Sequence, residues 1–230
     1  MPVFLLSDEL VFPPPHLASE SGLLAVGGDL SVERLLLAYR HGIFPWYGEA
    51  EPILWWSPDP RLVLPPERIS VSKSLKRVIN KATFRVTMDR NFEAVIRSCA
   101  RVRVETGDPT WIVEEMIGAY CRLHAEGYAH SVEAWYGDEL AGGLYGVSLG
   151  GAFFGESMFT RRSNASKVAL VYLARQLAAW SFRLIDCQVT TEHLVRFGAR
   201  EVPRHVFLES LEKALTMNTR RGKWKFGELK

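Results

Sequence analysis

The stretch Leu184-Ile185-Asp186-Cys187-Gln188-Val189 narrows what this chain can fold into more than any other. Apolar residues bracket an acid and an amide in a run of the length and composition of a buried strand. Period-two alternation puts Asp186 and Gln188 on one face of that strand. A carboxylate and an amide buried there need hydrogen-bond partners: each other, other protein groups, water or a ligand. The pattern alone allows a satisfied structural pair as readily as a reaction centre.

The rest of the chain supplies a sheet for such a strand. Early on, Pro13-Pro14-Pro15 is extended and Gly27-Gly28-Asp29 is a turn. Ser31 caps a helix running to about Arg40 and stopped by Gly42. Trp55-Trp56-Ser57-Pro58-Asp59-Pro60 closes this segment, because its prolines forbid helix. A boundary is therefore expected near residue 61, giving a small N-terminal domain over 1–61 and a larger one over 62–230. Beyond it, helix is predicted over 72–79, 91–100, 113–125, 164–180, 192–197 and 206–215. Strands are predicted over 84–88, 131–136, 140–148, 152–159 and 184–189, with hairpin turns at Gly137-Asp138 and Gly150-Gly151. This mixed α/β order of strand, two helices, three strands, helix, strand and helix resembles the acyl-CoA N-acyltransferase (GNAT) fold.

Composition excludes several classes. At 230 residues the chain can bury a real core, and 47% hydrophobic with 23% charged residues is ordinary for a globular protein. No apolar run spans a bilayer, so no membrane association is expected. Met1–Leu10 contains Asp8 and Glu9 and does not read as a signal peptide. Cys99, Cys121 and Cys187 are widely spaced without a CxxC pair, which suits a reducing, cytoplasmic location and no disulfide or zinc framework. The net charge is only +2 but unevenly placed. Acidic residues dominate 1–60, while Arg61, Arg68, Lys73, Lys76, Arg77, Lys81, Arg85 and Arg90 dominate 61–90. Such polarity can attract an RNA backbone. A solvated helix face is the plainer alternative.

Several motifs keep company with the acid–amide strand. They are Gly155-Glu156-Ser157-Met158-Phe159, Phe44-Pro45-Trp46, Trp55-Trp56-Ser57-Pro58-Asp59-Pro60-Arg61, Asn164-Ala165-Ser166-Lys167 and the segment Gly22–Leu30. In this order, from about Phe12 to Phe207, they resemble the bacterial leucyl/phenylalanyl-tRNA–protein transferase family. The resemblance implies an aminoacyltransferase that moves Leu or Phe, with Met as a further donor, from aminoacyl-tRNA to the N-terminal amine of a protein. It implies acceptors that begin with Arg or Lys, which are thereby marked for N-end-rule degradation, and an enzyme expected to be a monomer. It also implies that Asp186 and Gln188 are the catalytic relay. Arg61, Lys73, Lys76, Arg77 and Lys81 become the candidate tRNA contacts.

Two absences agree with a preactivated acyl donor. GNAT enzymes usually hold a coenzyme pyrophosphate on a glycine-containing turn that enters the long helix. Here that place reads Arg161-Arg162-Ser163-Asn164-Ala165-Ser166-Lys167, without glycine. No GxxxxGK[ST] loop is present either, so neither coenzyme A nor ATP is expected, and no cofactor or metal. An acetyl-CoA N-acetyltransferase and a non-catalytic RNA- or peptide-binding module are the rival readings.

The remaining candidates follow from what such a reaction needs. Glu156 is read either as a contact to the terminal adenosine or the acceptor's cationic N-terminus, or as an ion-pair partner of Arg161 or Arg162. Phe153, Met158, Leu170 and Ile185 match family positions for the donor side chain, and Met can reshape around Leu or Phe. Leu144, Leu173 and Leu177 stand where some members carry Met or Phe. Without the resemblance all seven would pass as core. Trp46 and Trp111 sit in loop contexts suited to stacking on the adenine or flanking the peptide. Trp55 and Trp56 are expected to seal the junction between domains. His193 is read as a surface or cap residue in preference to a base.

Overall fold

Two sheets divide the chain in this computed structural model, which describes residues 3–105 and 112–227. The first half opens with β1 (Phe4–Leu6), β2 (Leu23–Gly27), α1 (Val32–Arg40), β3 (Phe44–Pro45) and β4 (Leu54–Trp56). The strands form a small sheet in the order β1-β2-β4-β3. Ser31 caps α1 as expected, its hydroxyl accepting from the Arg34 N–H at 3.3 Å. Gly42 ends it with φ at +68°, and a Cβ there would lie 2.7 Å from the Phe207 ring.

The chain continues through β5 (Arg61–Leu64), α2 (Lys73–Asn80), β6 (Arg85–Met88), α3 (Phe92–Glu105), α4 (Glu114–Ala125), β7 (Ala129–Tyr136), β8 (Glu139–Leu149) and β9 (Ala152–Thr160). It finishes with α5 (Ala165–Ala179), β10 (Leu184–Gln188), α6 (Glu192–Val195), β11 (Arg200–Val202) and α7 (Arg204–Leu215). The large sheet has the order β11-β5-β10-β9-β8-β7-β6. The run from β6 to β10 reproduces the predicted alternation of strands and helices. The short strands β5 and β11 were not expected. In β5, Arg61-Leu62-Val63-Leu64 is headed by a charge and hemmed by Pro60, Pro65 and Pro66. Only its pairing with β10 and β11 makes it a strand, and all four of its residues are buried.

Alternation along β9 sends Phe153 to one face of the large sheet and Phe154 to the other. Phe154 joins a core with Phe92, Val95 and Ile96 of α3 and Tyr120 and Leu123 of α4. Leu24, Leu35, Tyr39 and Trp55 from around the small sheet belong to the same core. Phe153 joins a second core under α5, with Leu144, Leu170, Leu173 and Ile185. Burying a side chain of this size contributes roughly 1.5–3 kcal/mol, so both faces of the sheet are strongly specified.

One departure from regularity makes the site. β9 and β10 are parallel, but their pairing covers only Ala152–Phe154 against Leu184–Asp186. Past that point β9 continues to Thr160 beside β8. Meanwhile β10 slips register against β5 between Asp186 and Gln188. The two strands part, and a cavity opens between them.

Candidate active site

The expectation that Asp186 and Gln188 share a face is overturned by the slip in β10. Gln188 has φ at +62°, in the left-handed region, and this turns its side chain away from the alternation. Asp186 is fully buried and does not line the cavity. Its Oδ1 accepts from Arg61 Nε at 2.8 Å and from the Gln188 backbone N–H at 2.9 Å. Its Oδ2 accepts from Arg61 Nη2 at 2.6 Å.

This pairing corrects the reading of Arg61 as a tRNA contact. The guanidinium is enclosed, with Phe44 and Phe207 rings at 4.8 and 4.6 Å from its carbon, and it cannot reach a phosphate. Lys73, Lys76, Arg77 and Lys81 are different. All four are exposed on or just beyond α2, and none makes an ion pair among the described residues. Ser72 caps that helix through the Leu75 N–H, and Leu75 is its buried anchor. The basic side chains are left to solvent.

Glu156 lines the cavity beside Gln188. It is the extra residue of a bulge in β9, where Tyr145 pairs with Ser157 and the next residue of β8, Gly146, pairs with Gly155. A Cβ on Gly146 would come 2.2 Å from the Phe154 carbonyl, so the bulge depends on a glycine there. Oε1 of Glu156 accepts from the Tyr39 hydroxyl at 2.8 Å and from Gln188 Nε2 at 3.1 Å. Oε2 accepts from the Tyr120 hydroxyl at 2.9 Å. The two tyrosine hydroxyls also contact each other. Burial pushes the Glu156 carboxyl up to about 7, raised further by Asp186 and restrained by the tyrosine hydrogen bonds and Arg61. Burial likewise raises both phenols well above their usual range, so they remain protonated donors. The alternative ion pair is not formed. Arg162 binds Glu139 at 2.8 Å, and Arg161 lies over Phe159.

The cavity measures about 430 Å³. Glu156 and Gln188 meet it at one wall. Phe153, Met158, Leu170 and Ile185 line it, together with Leu144 and Leu173. Leu177 belongs to the second core and does not reach it. Trp46 stands at the rim, 40% exposed, beside Trp56 with ring centroids 5.7 Å apart. Trp56 Nε1 donates to the Trp46 carbonyl at 2.6 Å and fixes that rim. Trp55 is buried in the core that joins the two sheets and donates to the Gly27 carbonyl at 2.8 Å. Trp111 lies outside the described residues.

Two residues at the site, Tyr39 and Tyr120, escaped the sequence, and a third, His193, was weighed as a base but read as a surface or cap residue. Both tyrosines occupy buried helix positions, and nothing local marks a phenol whose hydroxyl meets a carboxylate far away in the chain. His193 lines the cavity with Nε2 buried and without a protein partner. Burial, with Lys167 and Arg196 nearby, lowers its pKa and keeps the ring neutral at pH 7. Its place just past a polar buried strand was the available signal. Among the described residues no group of three or more His, Cys, Asp or Glu side chains is arranged to hold a metal, and no helix is long and apolar enough to cross a membrane.

The arrangement suits acyl transfer to an amine: an apolar socket, a carboxyl group with a near-neutral pKa, and an amide held beside it. Known proteins agree. The leucyl/phenylalanyl-tRNA protein transferase family matches residues 63–212, and its N-terminal domain matches residues 28–59. A leucyl/phenylalanyl-tRNA–protein transferase from Anaeromyxobacter sp. (strain Fw109-5) is 64% identical over 224 residues, covering 97% of this chain and 95% of that one. One from Syntrophobacter fumaroxidans is 64% identical over 211 residues, covering 92% and 90%. One from Desulforapulum autotrophicum is 56% identical over 226 residues, covering 98% and 99%. Matches of this extent leave one conclusion: the chain belongs to the leucyl/phenylalanyl-tRNA–protein transferase family.

Proposed function

We propose that this enzyme transfers Leu or Phe from aminoacyl-tRNA to the α-amine of a protein beginning with Arg or Lys, with Glu156 receiving the amine proton. The observation that carries this reading is the Glu156–Gln188 pair at the wall of an apolar cavity. A peptide α-amine has a pKa of about 7.7–8.0, close to that of Glu156, so proton transfer between them is nearly level. An ionised carboxylate only accepts, which turns Nε2 of Gln188 toward Glu156 and leaves its Oε1 to accept an amine N–H.

The amine nitrogen forms the new bond to the ester carbonyl carbon, and the bond to the ribose oxygen breaks. The amine proton passes to Glu156 and returns to that oxygen. Holding amine and ester together contributes roughly 7–11 kcal/mol, far more than the roughly 1 kcal/mol needed to free the amine of its proton at pH 7. Asp186 supports this centre through the Gln188 backbone. An Arg- or Lys-starting acceptor brings two positive charges, which suits the Glu156 carboxylate and the acidic N-terminal segment. Such transfer marks the acceptor for N-end-rule degradation, and its tRNA donor sets the reaction in the cytoplasm.

The test is transfer of radiolabelled Leu from charged tRNA to an Arg-starting peptide, with acetyl-CoA thiol release as the control. Leu transfer that is lost in Glu156→Gln supports the reading. Turnover of acetyl-CoA in place of charged tRNA would refute it, as would binding of both substrates without transfer.

A further inference from the structure

We propose that Arg61 is a positioning residue of the transfer centre, working through Asp186 on the two groups that face the cavity, Glu156 and Gln188. The inference rests on the reading of Glu156 given above.

The geometry is that of a clamp. Arg61 is 1% exposed and Asp186 is fully buried, and their planar groups meet in a two-pronged bond at 2.8 and 2.6 Å. The guanidinium lies between Phe44 of β3 and Phe207 of α7, so the small sheet and the last helix both hold it. The Asp186 oxygen that binds Arg61 Nε also accepts the Gln188 N–H. Arg61 thereby secures the bulge that turns Gln188 toward Glu156.

Stability is a poor reason for such a pair. Two charges taken from water rarely do better than well-packed apolar residues of similar volume. Electrostatics at the cavity wall supplies a reason. Glu156 is faced by Tyr39 from α1, Tyr120 from α4, Gln188 and Asp186 from β10, and Arg61 from β5. Asp186 makes ionisation of Glu156 harder, and Arg61 makes it easier. With the pair intact, the two charges offset one another. Lysine cannot take over, because a single ammonium lacks the fork that holds both oxygens and packs flat between two rings.

The test is the pH profile of kcat/KM for peptide acceptance, with folding of each variant checked by circular dichroism. Transfer that needs ionised Glu156 falls on the acid side. Arg61→Met should move that limb upward by roughly one pH unit, read as about tenfold lower kcat/KM at pH 6. Asp186→Asn removes the opposing charge and should move the limb downward. The double variant should bring it back toward the wild-type position. Arg61→Lys should leave the limb nearly in place while kcat falls. A folded Arg61→Met enzyme whose limb has not moved overturns the proposal. If that variant does not fold, an unmoved limb in Asp186→Asn overturns it instead. In Glu156→Gln only the limb of the acceptor amine, near its own pKa of about 7.7–8.0, should remain; a lower limb that persists beside it would refute the role of Glu156 itself, an outcome distinct from either.

Discussion

The side-chain amide of Gln188 donates to Oε1 of Glu156 from 3.1 Å, across the gap where β9 and β10 part. The pairing of the two strands ends at Phe154 and Asp186, and this bond reaches across the opening beyond it. Both residues face the cavity, and an amine that arrives there meets a carboxylate already held on both oxygens. Such pre-positioning is what a positioning-dominated reaction requires.

Removing a tyrosine donor should make the enzyme demand a higher pH. Tyr39 and Tyr120 both lower the Glu156 pKa by bonding its ionised form. A hydrogen bond to a charged group is worth about 1.5–3 kcal/mol, so Tyr39→Phe or Tyr120→Phe should raise the acid limb by about one to two pH units. Rate–pH profiles of the two variants check this. Profiles that superimpose on the wild type would show that the hydroxyls do not act on Glu156.

Glu156 should destabilise the folded protein above neutral pH. Its pKa is about 7 when folded, against 4.5 for the free side chain. The folded state therefore holds the proton more tightly, and its contribution is full below pH 4.5 and lost as pH rises through 7. The loss amounts to about 3 kcal/mol. Glu156→Gln cannot titrate and should gain by that much on the wild type between pH 4.5 and pH 8, while losing transfer. Urea denaturation at pH 5 and pH 8 measures it. An equal pH dependence in both proteins would contradict the raised pKa.

Neutralising Lys73, Lys76 and Arg77 together should weaken tRNA binding and flatten its salt dependence. The three are exposed on α2 and make no ion pair among the described residues, so stability should change by less than about 0.5 kcal/mol per site. Each phosphate that the helix no longer neutralises should reduce the slope of log affinity against log salt by roughly 0.7–0.9. Filter binding over a range of salt concentrations reads the slope directly. If it does not change, the helix merely faces solvent.

Met158 should set the depth of the donor socket. It is half-buried and lines the cavity close to Glu156. Met158→Ala should favour Phe over Leu, and Met158→Phe should exclude Phe first. A methylene difference is worth about 1–3 kcal/mol, so Val should be discriminated against moderately in the wild type. Competition among Leu-, Phe- and Val-charged tRNA for one Arg-starting peptide gives the ratios. A common fall for all three donors would place Met158 outside the recognition of the side chain.

Long periodic elements were legible because their own residues specify them. The helix at 165–179 and the strands from 129 to 160 carry patterns that need no partner to be recognised. The socket residues Phe153, Leu170 and Ile185 were legible only through the family resemblance, since their periodicity alone reads as core. Arg61 was not. Local charge placed it among solvent-facing basic residues, whereas a carboxylate in β10 draws it inside. Tyr39 and Tyr120 failed to show for a related reason: each is an ordinary buried aromatic until Glu156 reaches it. The common face of Asp186 and Gln188 assumed a regular strand, and a bulge removes that regularity without any glycine or proline to announce it.

The position of β5 inside the large sheet bears on when the enzyme becomes active during synthesis. β5 ends at Leu64, yet its partners begin at Leu184 and Arg200. Arg61 has no counter-charge until Asp186 has been made, and Tyr39 has no carboxylate until Glu156 has. Pairings this distant in the chain close slowly, and N-terminal segments are exposed first. A growing chain, made among charged tRNA, thus has no working centre until Glu156 and Asp186 have both been added. It can begin to draw on that pool only after the strand at 184–188 has slotted in beside the one begun at Arg61.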